Sequence, residues 1–174
     1  MSKILVVVYS YTGTCRRLAE LLCDEQGWPI AEVTDARPRS GALGTWRCLL
    51  DSWLRRQPPI HYTGLPSDDF DAVVLVAPIW AYRLAGPMRT FVASRREHLP
   101  EVAVAPVMGG SGASNAITEI GHLLGRVPIL SAAFTAREVE DGSCAARLRA
   151  FGDGVRAAQA ADVTRPAIWS PQTA

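Results

Sequence analysis

The chain has 174 residues, 48% of them hydrophobic and 20% charged, and its 18 Lys and Arg against 17 Asp and Glu leave a net charge of +1. These proportions describe one ordered domain with enough chain to bury a core, and they exclude an intrinsically disordered segment. The charge balance gives no reason to expect nucleic acid or an anionic membrane as partner, and four Cys without a C-x-x-C pair or a His-linked zinc spacing read as reduced thiols, not a metal site.

Ile4 to Val8 is an unbroken aliphatic run, the pattern of a strand covered on both faces. From Thr14 onward Leu18, Leu21 and Leu22 recur at helical spacing beside Arg16, Arg17 and Glu20, which predicts an amphipathic helix ending near Gly27. The apolar opening is too soon interrupted to be a signal peptide, and no run approaches membrane-spanning length, so the expected location is the cytoplasm. The join, Tyr9-Ser10-Tyr11-Thr12-Gly13-Thr14-Cys15, is rich in hydroxyls. A tight turn into a helix N-terminus leaves backbone N–H groups without intrahelical partners, which suits a phosphate. Ser10, Thr12 and Thr14 could equally serve as ordinary helix caps, and the residues alone leave both readings open. The stretch matches neither G-x-x-x-x-G-K-[ST] nor G-x-G-x-x-G.

Pro29 to Val33 reads as a short strand near a sheet edge. Residues 36–66 are the least regular, punctuated by Pro and Gly, yet within them Thr45 to Arg56 carries Trp46, Leu49, Leu50, Trp53 and Leu54 at helical spacing. Packing in the core or at a subunit interface is the preferred reading for both tryptophans over a ligand role, and their face allows a homodimer. Asp71 to Ala77 is a second strongly apolar strand, followed by the aromatic loop from Pro78 to Gly86 and by a helix that starts at Pro87 and runs through Met88, Phe91 and Val92. Val102 to Val107 is another such strand; it leads into Met108-Gly109-Gly110-Ser111-Gly112 and a helix through Ile117, Ile120, Leu123 and Leu124 that Gly125 should end. Pro128 to Phe134 is the last strand and Cys144 to Ala161 the last helix. Residues 1–162 thus form one domain, and 163–174, with Pro166 and Pro171, read as a loose tail.

Strands alternating with helices imply an α/β fold, a five-stranded parallel sheet of order 2-1-3-4-5 with helices on both faces. The loops after the first, third and fourth strands would meet at one sheet edge, where such folds bind ligands. His61, His98 and His122 have no evident Ser or carboxylate partner, so no catalytic triad or metal cluster is expected.

The order of elements over roughly residues 3 to 160 resembles the flavodoxin family. Ser10-Tyr11-Thr12-Gly13-Thr14-Cys15 is similar to the family's phosphate loop, [ST]-x-T-G-x-T, with Cys15 in place of the last Thr. Pro78-Ile79-Trp80-Ala81-Tyr82, followed by Gly86-Pro87-Met88-Arg89-Thr90-Phe91, resembles the loop that covers one face of the flavin ring, and Met108-Gly109-Gly110-Ser111-Gly112 resembles the loop at the ring's pyrimidine edge. The resemblance implies FMN as cofactor, its phosphate on Ser10, Tyr11, Thr12, Gly13 and Thr14. Pro78, Ile79 and Trp80 would touch the ring, with Trp80 the best stacking residue and Tyr82 the second, and Gly109 and Gly110 would offer N–H groups to its carbonyl edge. Cys15, Ala81, Tyr82, Arg83, Ser111 and Gly112 complete the implied binding set.

What this implies is an electron-transfer protein working with redox partner proteins or small quinone-like acceptors; the alternatives are an NAD(P)H-dependent quinone or flavin reductase of the same fold and a flavin-free interaction module. Cys15 is either an inert buried thiol or, at a helix N-terminus beside Arg16 and Arg17, a thiol of lowered pKa. Arg83 would favour negative charge on the ring, the reverse of acidic flavodoxins, or be an exposed loop residue.

Overall fold

In the computed structural model, which describes residues 3–36, 46, 50 and 54–163, the opening stretch forms strand β1 (Ile4–Tyr9), turns at Gly13 and enters helix α1 (Thr14–Gln26). Gly27 closes α1 where the sequence places its end, its left-handed backbone letting its N–H donate to Cys23 O at 2.7 Å. Strands β2 (Ile30–Asp35) and β3 (Ile60–Thr63) lead through a short turn to β4 (Ala72–Trp80) and its return strand β5 (Arg83–Leu84). Helix α2 (Gly86–Arg95) has Pro87 in its first turn; β6 (Glu101–Met108) and α3 (Ala113–Leu124) follow, and α3 stops at Gly125. Two short strands, β7 (Leu130–Ser131) and β8 (Phe134–Thr135), precede helices α4 (Ala136–Asp141) and α5 (Ala145–Val163).

β1 pairs in parallel with β2 on one side and β4 on the other, and β4 pairs in parallel with β6. β7 and β8 both pair with β6, Leu130 opposite Ala103 and Phe134 opposite Val107, so they share the fifth position as one interrupted strand. The parallel order is the expected 2-1-3-4-5. Two strands are additional. β3 lies antiparallel on the outer edge of β2, so the second predicted strand is not itself the edge, and β5 folds back on β4. β3 was hidden among the prolines of the irregular stretch because Pro58 and Pro59 precede it, a placement an edge strand tolerates. Gly64 then has to pass close over β2: a Cβ there would sit 2.5 Å from that of Ala31.

Side chains alternate across the sheet and build a core on each face. Ile4, Val6 and Val8 pack with Val74 and Val76 against Leu18 and Leu22 of α1 and Leu148 and Phe151 of α5. Leu5, Val7 and Tyr9 pack with Val73 and Leu75 against Met88 and Phe91 of α2 and Ile120 of α3. Both faces of β1 and β4 are therefore covered, which is why these strands read as continuous apolar runs. Helix α4 was not expected; Thr135 and Glu138 close it with a reciprocal capping box, the Glu138 N–H reaching Thr135 Oγ1 at 3.2 Å and the Thr135 N–H reaching Glu138 Oε2 at 2.8 Å. No described helix is long and apolar enough to cross a membrane. Most of the helix predicted over Thr45 to Arg56 lies outside the described residues, although Trp46 and Leu50 are helical and exposed. So does the predicted tail beyond Val163, a residue that still belongs to α5.

Candidate functional site at the carboxyl ends of the parallel strands

Because β1, β4 and β6 run in parallel register, the loops after them leave the sheet at one edge. In the first loop Ser10 Oγ accepts the Gly13 N–H at 3.1 Å, and Gly13, at φ 98°, turns the chain into α1. Arg17 is the first residue whose N–H finds an intrahelical acceptor, Gly13 O at 2.9 Å. The preceding N–H groups of Thr14, Cys15 and Arg16 therefore sit at the open, positive end of the helix. Thr12 is exposed, with its Oγ1 3.4 Å from Thr14 Oγ1, and no side chain caps the helix. The hydroxyls thus surround the turn without closing the helix end.

Cys15 takes no part through its thiol. It is 3% exposed, packed in the α1 core layer, and burial pushes its pKa up to about 12. Of the two readings of Cys15, the buried thiol is the one its surroundings match, since desolvation by burial raises the pKa where a reactive thiol would need it lowered. Arg16 is tied instead to Glu32 on β2.

The second loop is a β-hairpin. Trp80 pairs with Arg83 across a two-residue turn, Ala81-Tyr82, in which both residues have left-handed backbones, φ 49° and 61°. Such turns usually carry Asn or Gly, so nothing in Ala-Tyr signals one. Trp80 is held between two tyrosines, with ring centroids 5.9 Å from Tyr9 and 5.7 Å from Tyr11, both edge-on. Tyr9 is in turn fixed by its hydroxyl, which donates to Asp35 Oδ2 at 2.8 Å. Pro78 and Trp80 remain half-buried, whereas the Ile79 side chain enters the core; Tyr82 stands 64% exposed at the tip.

The third loop supports the second. Gly112, at φ 104°, lies so close under the hairpin that a Cβ would come within 2.8 Å of Tyr82 Cα. Its glycine character serves this close approach. Gly109 and Gly110 are exposed with open space where a Cβ would stand, and Ser111 is exposed beside them.

Beside the hairpin, and away from the first loop, a cavity of about 1010 Å³ opens between α2 and α3; Tyr82, Arg83 and Arg89 line it together with Asn115 and Glu119. Arg89 is 2% exposed and fully engaged: it ion-pairs with Glu119, donates from Nη1 to Arg56 O at 3.1 Å and from Nη2 to Leu84 O at 2.9 Å. This one side chain ties β5 and the segment before β3 to α2. Sequence reading named Tyr9 and Arg89 within its motifs without giving either a role of its own and missed Asp35; an Arg at the fourth position of a helix with an apolar face was the available sign of a buried cation.

No family model matches the chain, and no curated protein matches it in sequence. Solved structures do match in shape. A flavoprotein from Lactobacillus acidophilus NCFM in complex with FMN superposes with a TM-score of 0.67 over 82% of this chain and 99% of that one, at 21% identity. The fold is flavodoxin-like. A flavodoxin, the WrbA-like protein from Agrobacterium tumefaciens, covers 95% of this chain and 100% of its own at a TM-score of 0.54 and 14% identity. Megasphaera elsdenii flavodoxin, in its two-electron reduced form, covers 90% and 98% at 0.53 and 16%. In this flavodoxin-like frame the loops after β1, β4 and β6 take the places that the sequence assigns to the loops after the first, third and fourth strands of the parallel order.

Proposed function

We propose that the chain binds FMN at this edge and acts as an electron-transfer flavoprotein. The observation that carries this reading is the contact between Tyr11 and Trp80, which sets the uncapped N-terminal end of α1 directly against an aromatic wall. The phosphate would lie on the N–H groups of Thr14 to Arg16 and on the hydroxyls of Ser10, Thr12 and Thr14. Pro78 and Trp80 would flank the ring, and the open backbone of Gly109 and Gly110 would face its polar edge. Cys15 and Ile79 contribute backbone only, since their side chains are in the core. When bound, the flavin supplies one- and two-electron chemistry; the protein orients it and sets its electrostatics.

Two features support the fit. Gly13, Gly109 and Gly110 leave open space where a side chain would intrude, and Tyr9 of β1 and Tyr11 of the first loop hold Trp80 edge-on. The acceptor proposed is a partner protein or a small quinone-like molecule. Arg83 pairs with Trp80 on the hairpin and lines the neighbouring cavity; acting across the hairpin, its positive charge would favour a negatively charged reduced ring. The test is the visible spectrum of the purified protein before and after adding FMN. Quenching of flavin fluorescence with micromolar affinity, lost by roughly tenfold or more in Ser10→Ala/Thr12→Ala, is the expected result; no binding at all ends the proposal.

A further inference from the structure

The cavity beside the hairpin is lined by three guanidiniums, one of which, Arg89, is buried. Arg55 and Arg83 both face it, and neither has an ion-pair partner among the described residues. The one carboxylate among the described residues of the lining, Glu119, is already neutralised by buried Arg89. Two cations facing one concave space make it a place where an anion is drawn in. Hydrogen-bonding groups, Asn115 and Thr118, stand on the facing helix. A smaller depression of about 480 Å³ shares Thr118 and His122 with this cavity and continues along α3 past Ile117 to Val127 and Pro128. Arg126 also borders this depression but is engaged by Glu101 and the Leu99 carbonyl, and Val127 is 83% exposed, so Ile117, Val127 and Pro128 give the far end an apolar strip open to water. The groove is thus cationic at the hairpin and apolar at its far end, with room for a small organic ligand.

We infer that this groove binds a small amphipathic organic anion, its phosphate or carboxylate held by Arg55 and Arg83 and its apolar body lying along α3 toward Val127. Guanidinium forks suit either acidic group. The groove uses none of the first loop, and the inference does not depend on flavin.

The probes are 1-naphthyl phosphate and 1-naphthoate, with uncharged 1-naphthol as their counterpart, titrated calorimetrically into the full chain with and without saturating FMN. The expected result is saturable binding of at least one anion, roughly tenfold or more weaker for 1-naphthol and in Arg55→Gln and Arg83→Gln, and unchanged in Thr12→Val. The stronger of the two anions identifies the acidic group. Affinity kept in both arginine variants, a loss confined to Thr12→Val, or no saturable binding overturns the inference. Should Arg83→Gln fail to fold, Arg55→Gln and Asn115→Leu decide the question in the same way. Failure to bind FMN would end the proposed function and leave this test intact, since the comparison of Thr12→Val with the arginine variants needs no flavin.

Discussion

At the scale of single residues, the largest consequences belong to side chains whose environment differs from their ordinary one. Arg89 is buried and satisfied by Glu119 and two carbonyl oxygens, so Arg89→Ala should cost about 3–5 kcal/mol in urea unfolding by leaving a largely buried carboxylate uncompensated. Replacing both partners, Arg89→Met with Glu119→Met, should recover most of that loss. Cys15, with its pKa pushed up to about 12 from an ordinary 9.0, should react with iodoacetamide at pH 8 roughly a thousandfold more slowly than a free thiol, and reactivity should return in urea. Fast alkylation of native Cys15 would contradict its place in the core. Such assignments were only half legible beforehand. The hydroxyl-rich join was visible as a turn with free N–H groups, but whether Cys15 faces solvent depends on α1 lying against the sheet.

Among elements, the β4–β5 hairpin and helix α4 carry the clearest expectations. Ala81 holds a left-handed backbone that a Cβ disfavours, so Ala81→Gly should stabilise the protein by about 0.5–1 kcal/mol and raise its Tm by roughly 1–4 °C. A fall in Tm would show that the turn is relaxed as it stands. In α4, the backbone N–H and the hydroxyl of Thr135, and then Arg147, hold the Glu138 carboxyl at about 2, below its ordinary 4.5. The lowered value means that its contribution to stability is complete above pH 4.5 and is lost as the pH falls toward 2. Urea unfolding between those values should show a steeper loss for the native protein than for Glu138→Gln. Both elements escaped a reading from sequence for local reasons. An Ala-Tyr turn has none of the usual turn residues, and the two-residue strand it creates exists only because β4 runs on to Trp80 to pair with it.

For the whole molecule, FMN bound at the strand ends should couple to folding. At a hundredfold excess over its Kd the flavin should add about 2.7 kcal/mol, a rise in Tm of roughly 5–10 °C by differential scanning fluorimetry, largely abolished in Ser10→Ala/Thr12→Ala. An ordinary low-potential second couple in a potentiometric titration would remove the role given to Arg83. What the amino-acid order determined by itself was the succession of strands and helices and the parallel order of the sheet. Runs such as Ile4 to Val8 and Ala72 to Ala77 are apolar on both faces, and the helices between them change to a 3.6-residue period; both signals are local. Tertiary structure alone decided that β3 covers the edge of β2, that Trp80 stands between Tyr9 and Tyr11, and that Arg89 meets Glu119 beside a groove. Each of those contacts joins residues about 25 to 70 positions apart, at |i−j| of 30 for Arg89 and Glu119, and polar or aromatic side chains at such separations take their role from the element packed against them, which no local pattern encodes.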